Sequence, residues 1–245
     1  MKKGVFKLVV SMFIIGIIAV CVSCKCENIG NTVKGNGVLQ TSEKTVSEFD
    51  KIVADGDVEV RYYASEEYRV VFTIDENLQD YAEIFTKNNV LNIGLKSNVS
   101  YSRITKYSVD VYCPVLTDVS ADGFVDFESM DVISTPTFKT GLFGSGKMKS
   151  AIECEKFFTN IDGFGEMTIT GNSNDARIDI SGSGIFDGKE FKTKNATIDI
   201  DGFGEVYIWV TEKLKVNISG SGTLYYIGEP QIESNIDGFG RIIKM

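Results

Sequence analysis

The chain of 245 residues has no histidine, only three prolines and a single tryptophan. Without histidine, the usual zinc ligand sets and the commonest side-chain acid–base catalyst at neutral pH are missing. Beyond the N-terminal cluster, Cys26, Cys113 and Cys154 show neither CxxC pairing nor metal-ligand spacing, which leaves no expected metal site and no cofactor motif. Past the leader, no stretch of ten or more residues carries a 3.6-residue apolar period, apart from a short candidate at Asn77 to Phe85. Helical folds are therefore excluded. Basic residues are also scarce, with 25 Lys and Arg against 34 Asp and Glu. Such a surface repels nucleic acid and anionic lipid heads.

What is present begins with a leader. Lys2, Lys3 and Lys7 precede an apolar run from Leu8 to Val22, too short for a membrane span and shaped as a secretory signal. The run ends in Cys21-Val22-Ser23-Cys24, which resembles the lipobox of bacterial lipoproteins and makes Cys24 the expected lipidated first residue. Lys25 follows in place of an Asp, and by that resemblance the outer membrane is the expected address. Loss of residues 1–23 leaves 22 basic against 34 acidic residues, a net of −12. Residues 24–36 are polar and aperiodic and read as a tether. Cys113 and Cys154 read as free thiols of the interior, with a periplasmic disulfide as the alternative.

The remainder reads as strand and turn. Phe49–Val53, Val58–Tyr62, Tyr68–Ile74, Val90–Leu95 and Tyr107–Tyr112 alternate apolar with polar residues, as half-buried strands do. From residue 119 onward a glycine turn returns seven times, with first glycines at 123, 144, 163, 182, 202, 220 and 238. The steps are 21, 19, 19, 20, 18 and 18 residues. A period that steady describes one unit stacked on itself, here a parallel β-helix of about 18–20 residues per coil. Residues 37–118 form the expected irregular N-terminal region and 119–245 the regular solenoid, with Asp55-Gly56-Asp57 as a degenerate eighth turn. The turns alternate between Asp-Gly-Phe-Gly and Ser-Gly-Ser-Gly spellings, with Val125 in place of the final glycine of the first and Gly144-Ser145-Gly146 alone in the second, so Phe164, Phe203 and Phe239 each stand next to a coil carrying Ser183 or Ser221. The same alternation keeps Asp162 and Asp201 off adjacent coils. Arg241 and Lys244 on the last strand are charges of the kind that blunt an open edge.

The segments Gly35-Asn36-Gly37, Phe49-Asp50-Lys51-Ile52, Asp75-Glu76-Asn77-Leu78, Leu91-Asn92-Ile93 and Val111-Tyr112-Cys113-Pro114-Val115-Leu116, followed by the Gly-Ser-Gly turns, carry a resemblance. The sequence resembles the auto-transporter adhesin head GIN domain family, a domain of unknown function abundant in Bacteroidetes, over nearly the whole mature chain. The resemblance implies secretion, a right-handed β-helical fold and an adhesive role, and it brings no catalytic residues.

Several groups invite a chemical reading. Asp179 and Asp199 fall at equivalent places on neighbouring coils, where they are solvated, bridged by Lys or share a cation such as calcium; Glu166 with Glu205 is a second carboxylate pair. Acidic pairs do not make a glycosidase without a cleft and a raised pKa on one partner. Tyr207 and Trp209 straddle Ile208 and face away from the interior, the expected ligand-facing aromatics. The leading expectation is a non-catalytic envelope lipoprotein that binds a glycan or protein partner and contacts the membrane through its anchor. A periplasmic accessory or sensing protein, and a β-helical carbohydrate-active enzyme, are the alternatives.

Overall fold

The computed structural model describes residues 32–245. Cys24, Cys26 and the leader lie outside the described residues. The N-terminal part comprises strands β1 (Thr32–Lys34), β2 (Leu39–Thr45), β3 (Lys51–Ala64) and β4 (Arg69–Asp75), a 3₁₀ turn (Glu76–Tyr81), and strands β5 (Ala82–Lys87), β6 (Val90–Leu95), β7 (Ser100–Ser102) and β8 (Ser108–Cys113). The helix expected at 77–85 is thus confined to that 3₁₀ turn, and Ala82 to Phe85 join a hairpin whose corner residues Asn88 and Asn89 take positive φ. There follow β9 (Asp118–Ser129), β10 (Ile133–Gly144), β11 (Lys147–Gly163), β12 (Glu166–Gly182), β13 (Ile185–Gly202), β14 (Glu205–Gly220), β15 (Thr223–Ile227), β16 (Gln231–Gly238) and β17 (Arg241–Lys244). Strand makes up 75% of the structure and helix 3%, arranged as a β-solenoid of about seven turns.

From β9 to β17 every described pairing is parallel, each coil bonded to the next. Register is held by one column of glycines, running Gly56, Gly123, Gly144, Gly163, Gly182, Gly202, Gly220 and Gly238, all with positive φ. Gly56 is therefore an eighth copy of the turn. Strand β3 stacks on β9 from Lys51 to Tyr62, so a continuous ladder crosses the sequence boundary drawn at residue 118. Beside the glycines stands an inward column, Leu142, Ile161, Ile180, Ile200 and Ile218, all buried, which opens to solvent only at Ile236 of the last coil. On the next wall, Phe138 and Phe157 give way to Ala176 and Ala196, and Phe186 and Phe191 lean across to pack against Phe157. Large rings thus meet small residues, which keeps the interior full.

The N-terminal end of the stack is closed by antiparallel strands: β2 on β4, β4 on β8, and β5 on β6. There Gly35-Asn36-Gly37 wraps the fully buried Asp75, whose carboxylate accepts from the Gly37 N–H at 2.7 Å, the Thr105 N–H at 2.7 Å and the Thr105 hydroxyl at 2.8 Å. A side chain at Gly35 would strike Asp75 Cγ at 2.8 Å. The end of the expected tether is consequently fixed, with Thr32–Lys34 paired to Ser100–Ser102. Cys113 is buried and Cys154 half-buried, both are free thiols, and burial pushes them up to about 12 and about 11.

Two stability outcomes follow. A Cβ on Gly202 would lie 2.6 Å from the Gly182 carbonyl oxygen at φ +118°, whereas one on Gly56, at φ +100°, would meet nothing within 4 Å. In denaturant titrations Gly56→Ala should lose only the positive-φ strain, about 1–2 kcal/mol, while Gly202→Ala adds an overpacking cost of about 1–3 kcal/mol. Equal losses would refute the stacked-corner contact. For Asp75, burial raises the carboxyl pKa, but the hydrogen bonds from Thr105 and Gly37 outweigh it and hold the group below its ordinary value. A depressed pKa contributes stability that is present above the unfolded value and lost as pH falls through the folded one. Asp75→Asn should therefore cost about 1–3 kcal/mol at pH 7 and make stability flatter than the parent's between about pH 5 and pH 2.

Candidate functional site

The corners decide what faces outward. In each Asp-Gly-Phe-Gly turn the two glycines take the inward beats of the alternation, so the Asp and the Phe both point to solvent. The second glycine has no room for a side chain: a Cβ on Gly204 would lie 2.6 Å from Ile180 Cγ2. The result is a ridge of four phenylalanines, Phe124 (66% exposed), Phe164 (75%), Phe203 (70%) and Phe239 (87%). They occupy every second coil, with Ser145, Ser183 and Ser221 between, and the Phe164, Phe203 and Phe239 N–H groups each donate to a glycine carbonyl of the coil before. At the usual strand spacing the rings recur every ~9.6 Å and span ~29 Å.

Two residues before the ridge runs a parallel column of Asp122, Phe143, Asp162, Ser181, Asp201, Ser219 and Asp237. From Asp122 to Asp237 its carboxylates occupy alternate coils, which limits like-charge contact; only at the N-terminal end does one acid, Asp55, stand opposite another, Asp122. Two residues further back lies a column of amides and acids, Asn160, Asp179, Asp199, Asn217 and Asn235. Between these columns sits an open groove of ≈ 350 Å³, lined by both and floored by Ile180, Ile200 and Ile218.

Asp179 and Asp199 do stack on neighbouring coils, as their spacing implied. A guanidinium takes the place of the cation considered for them. Arg177 Nε donates to Asp179 Oδ2 at 3.0 Å and its Nη2 donates to Asp199 Oδ2 at 2.8 Å, while Asn217 Nδ2 donates to Asp199 Oδ1 at 2.5 Å. Burial raises the Asp179 pKa, Arg177 opposes that rise, and the Asp199 charge adds to it. Among the described residues no group of three or more Cys, Asp or Glu side chains converges as a metal site. Glu166 and Glu205 lie two coils apart with Ile185 between; Glu166 pairs with Lys147 at 3.3 Å and Glu205 accepts from the Tyr207 hydroxyl at 2.9 Å.

The aromatics singled out from the sequence sit elsewhere, after the corner. Tyr207 is half-buried and stacked on Tyr225, ring centroids 4.6 Å apart, with Lys189 Nζ 4.4 Å from its ring centre. Trp209 is 37% exposed beneath Lys192. The four phenylalanines are far more open. Their signal was available in the sequence, because a residue caught between two inward-facing positions, glycines around Phe164, Phe203 and Phe239 and Gly123 with the buried Val125 around Phe124, has only the outward direction left.

No curated protein matches the chain. Among solved structures, the fold is similar to a protein of Bacteroides fragilis described as a putative adhesin, at TM-score 0.83 and 20% identity over 87% of this chain and 100% of that one. A protein of Parabacteroides distasonis, also described as a putative adhesin, aligns at TM-score 0.75 and 24% identity over 88% and 100%. Another from the same organism, described as a putative lipid binding protein, aligns at TM-score 0.72 and 25% identity over 88% and 100%. The family model described as "Putative auto-transporter adhesin, head GIN domain" matches residues 48–230, and the chain belongs to that family.

Proposed function

We propose that the chain is a lipid-anchored, non-catalytic binding module of the cell envelope, engaging a glycan or protein ligand along the phenylalanine ridge and the groove beside it. The observation that carries this reading is the ridge itself. Four large apolar side chains stand 66–87% exposed on one line of a stacked scaffold, and exposed apolar surface of that extent marks an interaction site. Membership of an adhesin-described family supports the binding role. The lipobox-like Cys21-Val22-Ser23-Cys24 supports an anchor at Cys24, with the outer membrane as its address. Both carboxylate pairs have other partners, Arg177 and Asn217 for one, Lys147 and Tyr207 for the other, which favours a scaffold over an acid–base centre. Tyr207 and Trp209, on β14 directly after the Phe203 corner, form a smaller second surface, open chiefly at the indole.

Protease added to intact cells should degrade residues 24–245 while a periplasmic control survives. Protection would instead assign the periplasmic accessory or sensing role. On arrays of glycans and matrix proteins, Phe164→Ser/Phe203→Ser should lose at least about tenfold in ligand binding, as removal of aromatic anchors does, with an unchanged circular dichroism spectrum. Retained binding would move the ligand surface away from the ridge.

A further inference from the structure

We infer that the phenylalanine ridge and its aspartate column form a docking track for a cationic polypeptide in the polyproline II conformation, an inference that rests on the ridge being the binding surface. The argument is one of matching periods. The rings recur every ~9.6 Å and must be met by a ligand that presents the same face at that interval. A β-strand repeats its face every two residues, ~6.7 Å, and is out of step by the second ring. An α-helix returns after a heptad, ~10.5 Å, and overshoots by ~3 Å across the three intervals. Polyproline II has three residues per turn and ~3.1 Å per residue, hence ~9.3 Å per turn, and falls short by only ~1 Å across the whole ridge. Its backbone is also preformed, so little conformational entropy is lost on docking, and aromatic-lined surfaces are the known means of reading it.

The gaps are compatible as well. Ser145, Ser183 and Ser221, exposed or half-buried, stand between successive rings, so small hydroxyl-bearing side chains rather than further rings fill the intervals, and hydroxyls suit the carbonyls that a polyproline II chain leaves unbonded.

Charge selects among such ligands. Asp122, Asp162, Asp201 and Asp237 are exposed and each belongs to the same corner as a ridge phenylalanine, so the carboxylates recur at the same ~9.6 Å interval. Among the described residues none of the four is in a salt bridge. A ligand with Lys or Arg at every third position places one cation beside each carboxylate while its other two positions pack on the rings. An acidic ligand meets both these carboxylates and the net charge of −9 of the whole chain.

The test is fluorescence anisotropy of a labelled (Pro-Pro-Lys)5 peptide, about 46 Å long in this conformation, titrated with the full mature chain. Binding is expected for this peptide, at least about tenfold weaker for (Pro-Pro-Glu)5 and for (Gly-Gly-Lys)5, and weaker for all as salt rises. Phe164→Ser/Phe203→Ser should lower it by at least about tenfold, and Asp162→Asn/Asp201→Asn should lower it and flatten its salt dependence. The side chains replaced are solvent-exposed, and an unchanged unfolding midpoint confirms the fold. Absence of binding at millimolar protein, equal binding of (Gly-Gly-Lys)5, or indifference to the phenylalanine substitutions overturns the inference. If the same phenylalanine variant still loses its ligand on the glycan and matrix-protein arrays while (Pro-Pro-Lys)5 does not bind, the ridge serves another polymer, and only this inference falls. If neither measurement responds to the variant, the ridge reading falls with it.

Discussion

The whole solenoid depends on how closely one corner can sit on the next. Each turn glycine lies over the carbonyl of the glycine one coil before, so near that a Cβ would stand 2.4–2.9 Å from that oxygen, from Gly123 to Gly238. The residue after it donates its N–H to a glycine carbonyl of the preceding coil, as Phe203 does to Gly182 at 2.7 Å. Positive φ and missing Cβ are needed together: the first bends the chain and the second lets the bend be stacked without gaps. If the corners stood further apart, the strands on both sides would lose their parallel ladder, and the inward isoleucines would lose contact with one another.

The outward chemistry is a by-product of that constraint. Since the glycines occupy the inward beats, the two positions around them carry no packing duty and are free for function. In every second coil they hold Asp and Phe, and in the others Ser and Ser or, once, Phe143 and Ser145. Phe143 shows what happens when a ring can reach a vacancy: it is half-buried and covers Gly141, where a Cβ would strike the ring at 2.6 Å. The ridge phenylalanines have no such vacancy and stay in water. Alternation with serine separates both the rings and the charges by two coils, which limits repulsion between carboxylates and fixes the ~9.6 Å interval that a ligand must match. Lateral to this surface, Arg177 neutralises Asp179 and Asp199, which meet on adjacent coils.

Much of this was legible from residues alone. The spacing of Gly123 through Gly238 implied parallel coils, and the register confirms it; Asp55-Gly56-Asp57 was recognisable as an eighth turn despite its lost phenylalanine. The family segments Gly35-Asn36-Gly37 and Asp75-Glu76-Asn77 were recognisable without their purpose, which is to bind one buried carboxylate between distant parts of the chain. Tyr207 and Trp209 drew attention because alternation placed them outside. Facing outward does not mean being uncovered, and stacking by Tyr225 and Lys189 from neighbouring coils is invisible to a period-2 pattern.

The sequence by itself determined the period, the class of fold and the direction each side chain takes from its own strand, because these depend on local alternation and on glycine's access to positive φ. The tertiary structure decided which outward residues remain open, since that depends on neighbours a full coil away: Tyr207 is covered, Phe203 is bare, and Asp199 is held by a guanidinium from the coil before. It also decided how the N-terminal end is closed, where the sequence is aperiodic and Asp75 needs donors from residues 37 and 105 to stay charged in the interior.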